Sequence, residues 1–75
     1  MSNTKKTADR AASLIKKAQA LISKAQPLLE QAQEIVSEDN DLEDAYQQIE
    51  EAIDRLEESA LATDEALANL EGELS

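Results

Sequence analysis

The sequence predicts an all-α protein, an antiparallel two-helix hairpin that dimerises into a four-helix bundle. Three observations carry that expectation. Apolar residues recur at heptad spacing through almost the whole chain, a short polar segment interrupts them near the middle, and the two halves carry opposite charge. The competing architecture is a single long helix in a coiled coil, because the heptad phase survives across the polar segment through Ala32, Ile35, Asp39, Leu42 and Tyr46.

Residues 1–6 are polar and basic, with no apolar residue after Met1, and are expected to form a flexible basic tail. The first helix is expected over 7–37. It contains a seven-residue repeat, IKKAQAL (15–21), ISKAQPL (22–28) and LEQAQEI (29–35). Ile15, Ile22, Leu29 and Val36 form one row; Ala11, Ala18, Ala25 and Ala32 a second; Leu14, Leu21, Leu28 and Ile35 a third. Three adjacent rows make a stripe broader than the two-row seam of a simple coiled coil, and the alanine row lets a neighbouring helix approach closely. Pro27 falls on the outward row. Proline removes one backbone hydrogen bond and kinks a helix, but the repeat keeps its phase on both sides of it, so a kinked, continuous helix is expected.

A turn is expected over 38–41, where Glu38-Asp39-Asn40-Asp41 is poor in helix propensity and Asn40 stands three residues before Glu43 in capping-box spacing. The second helix is expected over 42–72. Leu42, Tyr46, Ile49, Ile53, Leu56, Ala60, Thr63, Leu67, Leu70 and Leu74 alternate steps of four and three, beside a small-residue row of Ala45, Ala52, Ser59 and Ala66. Its outward face is acidic, and Gly72 is expected to stop it, leaving 73–75 as a tail.

Charge favours the hairpin over the long helix. Residues 1–37 carry six basic and three acidic side chains, whereas residues 38–75 carry one basic and fourteen acidic ones. Folding back sets Lys16, Lys17 and Lys24 level with the acids between Glu57 and Glu65, whereas a parallel coiled coil would set like against like.

Composition narrows the function. The 75 residues include no His, Cys, Trp or Phe and a single Gly, which removes the usual zinc, haem and thiol chemistry and any phosphate-cradling glycine loop. No catalytic residue, cofactor site or metal site is expected, and the chain is not expected to be an enzyme. Asp39, Asp41, Glu43 and Glu50 fall at positions 1, 3, 5 and 12 of a calcium loop, but Asp44 occupies the sixth position, where the turn needs glycine. Tyr46 lies on the apolar stripe and reads as a packing residue. Residues 1–13 lack the apolar core of a signal peptide and no apolar run approaches the roughly 20 residues that span a bilayer, so a soluble, cytoplasmic protein is expected.

What remains is a surface. Two helices facing only each other leave part of each stripe in water, and exposed aliphatic strips mark interfaces. The expected role is a small helical interaction or oligomerisation module, a homo-oligomer or a companion of another helical protein. Its partner interface is expected to use Leu14, Ile15, Leu21, Ile22, Leu28, Leu29, Ile49, Ile53, Leu56 and Leu67. Two alternatives stand beside it. One is an acidic regulator that occupies, by imitating DNA, a basic site on a nucleic-acid-binding protein. The other is an RNA-binding hairpin bundle that uses the basic residues from Lys5 to Lys17, although the net charge of −10 disfavours a phosphate backbone.

Overall fold

The computed structural model describes residues 3–74 and is a hairpin of two long helices. Helix α1 spans Thr4–Val36, a single 3-10 turn spans Asn40–Leu42, and helix α2 spans Glu43–Leu74. The described residues contain no strand, and α1 packs along α2. The chain therefore reverses direction at its middle, and the single long helix is not formed.

Helix α1 begins earlier than the expected 7–37. Thr4, Lys5 and Lys6 are helical, and the Thr7 N–H donates to the Asn3 carbonyl at 2.9 Å. Met1, Ser2 and Ser75, which belong to the expected tails, lie outside the described residues. The helix runs through Pro27 without interruption, the ring lying on the exposed side. It closes at Ser37, whose N–H donates to the Gln33 carbonyl at 3.0 Å and whose hydroxyl donates to the Glu34 carbonyl at 2.6 Å.

The turn is capped by a different residue from the one expected. Asp39 takes an extended conformation, φ −126° and ψ 111°, and its carboxylate accepts the Asp41 N–H at 3.0 Å. Asn40 is already inside the 3-10 turn. The Asp39 carboxylate satisfies a free N–H of a helix that starts one residue sooner, at Asn40, and the turn then feeds into α2 at Glu43. At the other end α2 continues through Gly72 to Leu74, and no described glycine has positive φ. Gly72 is thus a helical residue and not a stop, because nothing in its surroundings calls for the left-handed conformation that makes glycine a terminator.

The hairpin is a rod, 61 × 15 × 14 Å, with a radius of gyration of 17.2 Å. A compact protein of this length would have a radius of about 11 Å. Its interior is a seam and not a globular core. Among the described residues only Ala8 and Ala12 are buried, at 3% and 4% exposure. Along the rest of the seam, Ile15, Ile22, Leu29 and Val36 of α1 are half-buried, as are Tyr46, Ile49, Ile53, Leu56, Leu67 and Leu70 of α2.

Candidate functional site

A heptad helix has seven rows of side chains, each about 51° from the next, so a helix that turns one row toward its partner leaves the others at fixed angles. In α1 the row directed at α2 is Ala8, Ile15, Ile22, Leu29 and Val36. On one side of it lies the row Ala12, Gln19, Gln26 and Gln33. On the other side lies the alanine row, Ala11, Ala18, Ala25 and Ala32, and beyond that the leucine row.

The hydrogen bonds fix which side is which. Gln19 Nε2 donates to Asp64 Oδ1 at 2.6 Å and to Thr63 Oγ1 at 3.3 Å, and Gln26 Nε2 donates to Glu57 Oε1 at 3.3 Å. Residues level with one another across the hairpin therefore have numbers that add to 82 or 83. The glutamine row and the row containing Glu57 and Asp64 share one face of the rod. The alanine row of α1 and the small-residue row of α2, Ala45, Ala52, Ser59 and Ala66, share the other.

That second face is where the apolar stripe is left open. Leu14, Leu21, Leu28 and Ile35 are 66%, 66%, 64% and 68% exposed. They stand as a ridge of large aliphatics beside a shallow floor of alanines from both helices. These four residues span about 32 Å, about half the length of the 61 Å rod. The face is rimmed by charge of opposite sign. Outside the leucine ridge runs the row Arg10, Lys17 and Lys24, and along the far edge of α2 runs the row Asp44, Glu51, Glu58 and Glu65, all exposed.

The ten residues expected to form a partner interface divide into two groups. Leu14, Leu21 and Leu28 lie on the open ridge, which Ile35 extends. Ile15, Ile22, Leu29, Ile49, Ile53, Leu56 and Leu67 line the seam between α1 and α2 of the same chain. Substituting Ile22 or Ile53 therefore perturbs the hairpin itself before it perturbs any assembly.

Charge does not act within the hairpin as the sequence suggested. Among the described residues the one ion pair is Arg55–Glu51, one turn apart on α2 and exposed on both sides. No described lysine pairs with the acids of α2. The bonds across the seam come instead from Gln19 and Gln26, residues whose role the sequence concealed because glutamine on a helix usually reads as solvated surface. The available signal was their strict recurrence beside the isoleucine row. Leu61, 65% exposed, was also missed; it lies out of phase with both α2 rows and far from the leucine ridge.

No group of three or more carboxylates placed to hold a metal ion occurs among the described residues. Asp39 uses its carboxylate to cap the turn, and Glu43 opens α2. Tyr46 sits half-buried above a shallow depression at the turn, with Val36, Ser37, Asp39, Asn40 and Glu43. No described helix is long and apolar enough to cross a membrane. Comparison with protein-family models, characterised proteins and solved structures finds no match.

Proposed function

We propose that this chain is a small non-enzymatic helical interaction module, and that it works by burying its leucine ridge against other helices. The carrying observation is the heptad row Leu14, Leu21, Leu28 and Ile35, which stays about two-thirds exposed in the hairpin. A single exposed leucine needs no explanation, but a continuous row beside an alanine floor is the surface of half a bundle. The area supports the same reading. The chain exposes 5863 Å², whereas a compact protein of 8.2 kDa exposes about 4,500 Å². The excess, about 1,300 Å², is enough for one side of a stable interface, which takes about 800 Å² per partner.

Alanines set the spacing and leucines supply the energy. The two alanine floors bring backbones close, and the large side chains then close around the contact with few gaps.

Thermal unfolding across a range of protein concentrations tests the proposal. Association stabilises the folded state by mass action, so the melting midpoint of the wild type should rise with concentration. The variant Leu21→Gln/Leu28→Gln should keep its helicity and lose that dependence. A wild-type midpoint that is independent of concentration and equal to the variant's would overturn the proposal.

A further inference from the structure

We infer that the occupant of the leucine face is a second copy of this chain, related by a two-fold axis parallel to the rod, so that both turns lie at the same end. The inference rests on the interaction role proposed above and adds to it the partner and its orientation.

Two face-to-face arrangements have the required two-fold symmetry. With the axis along the rod, each α1 lies over the second copy's α2 and runs antiparallel to it. With the axis across the rod, α1 lies over α1, α2 over α2, and the turns point in opposite directions. Charge separates the two. In the first, the basic rim of one copy meets the acidic rim of the other along both outer edges. The level numbers place Lys17 beside Glu65 of the second copy and Lys24 beside Glu58 of the second copy, each pair occurring twice by symmetry. In the second, Lys17 and Lys24 fall beside the same two lysines of the other copy, and the acidic rim of α2 meets itself. Residues 38–75 carry fourteen acids against one base, so the second arrangement brings its strongest repulsion into its own interface.

Packing agrees with the first arrangement. The small-residue rows of all four helices converge on the centre, and each helix has two antiparallel neighbours, as in an up-down bundle. The ridge meets the row Gln48, Arg55, Ala62 and Asn69 of the second copy. Leu21 comes level with Ala62, and Leu28 with Arg55, whose aliphatic stem can cover it while the guanidinium stays on Glu51. The lysines have no partner to give up, since within one chain no described lysine is ion-paired.

The chain has no cysteine, so Asp41→Cys, at the exposed turn, places one nitroxide per chain for dipolar distance measurement. Turns at the same end put the labels about 20–30 Å apart, across the width of a bundle, whereas opposite ends put them about 50 Å apart, the length of a 33-residue helix. The short distance is expected. A long distance would overturn the orientation while leaving association intact, and absence of coupling at millimolar protein would overturn the second copy as occupant. A coupling that persists unchanged when Leu21→Gln/Leu28→Gln is added would instead refute the leucine face as the interface. Separately, Lys17→Glu/Lys24→Glu should weaken association about tenfold or more, and adding Glu58→Lys/Glu65→Lys should restore it. Equal weakening in both variants would also overturn the orientation.

Discussion

Leu21→Ala and Ile22→Ala alter neighbouring residues of one helix, yet under the proposed assembly they act on different equilibria. Leu21 is 66% exposed in the hairpin, so most of its side chain gains nothing until a partner covers it. Burying a whole leucine contributes about 1.5–3 kcal/mol, and two-thirds of that is about 1–2 kcal/mol. A symmetric dimer contains the residue twice, so Leu21→Ala should weaken dimerisation by about 2–4 kcal/mol, about 30-fold to several hundred-fold in Kd. The isolated hairpin should hardly notice, because alanine has the higher helix propensity and little contact is lost. Ile22 faces α2 of its own chain and is half-buried. Ile22→Ala should cost the hairpin about 2 kcal/mol or more. Sedimentation velocity over a dilution series gives the dimer Kd, and urea unfolding at the lowest concentration gives the stability of the hairpin. If Leu21→Ala leaves Kd unchanged, or if it destabilises the dilute hairpin as much as Ile22→Ala does, the division of the stripe between seam and ridge is wrong.

Other substitutions probe the hairpin alone. Pro27→Ala should stabilise it by about 2–3 kcal/mol and raise Tm by about 10 °C or more, since α1 continues through the proline, which is exposed and supplies no N–H to the helix; an unchanged Tm would mean that the helix does not persist there. Ala12→Leu should destabilise by about 1–3 kcal/mol, because Ala12 is 4% exposed in the seam; chemical unfolding would show it as a lower midpoint, and an equal or higher midpoint would mean that the seam has room. Gly72→Ala should stabilise by up to about 0.5–1 kcal/mol, since the residue is helical and an added Cβ meets nothing within 4 Å; a fall in helical circular dichroism would show instead that glycine is needed to end α2.

The hairpin itself was legible because each of its signals is local. Heptad recurrence names the rows, the acid-rich segment after Ser37 is poor in helix propensity, and the proline keeps phase. What the sequence could not display is how one broad stripe is shared. The isoleucine, alanine and leucine rows of α1 are all apolar, and periodicity gives their angles to one another but not which of them turns toward α2. That choice is settled across the seam, where α2 offers Ile49, Ile53 and Leu56 to the isoleucine row and Glu57 and Asp64 to the glutamines. Seven of the ten expected interface residues consequently lie in the seam between the chain's own two helices. The turn shows the same limit on a smaller scale. Asp39 and Asn40 are both good caps, and only the start of the 3-10 turn decides between them. Gly72 misled because a glycine near a helix end looks the same in sequence whether or not its backbone turns left-handed. The charge asymmetry was real, but lysine and glutamate rows that are level along the rod lie on opposite edges of one face. No described lysine accordingly pairs with those glutamates within the chain.

We propose that the hairpin is half of a closed assembly. Light scattering of the wild-type chain, from micromolar to millimolar at moderate salt, tests it most directly. Dimerisation predicts a mass that rises to twice the 8.2 kDa of one chain and stays there. A mass of one chain throughout that range would contradict it, and the leucine ridge would then have no second copy to bury it.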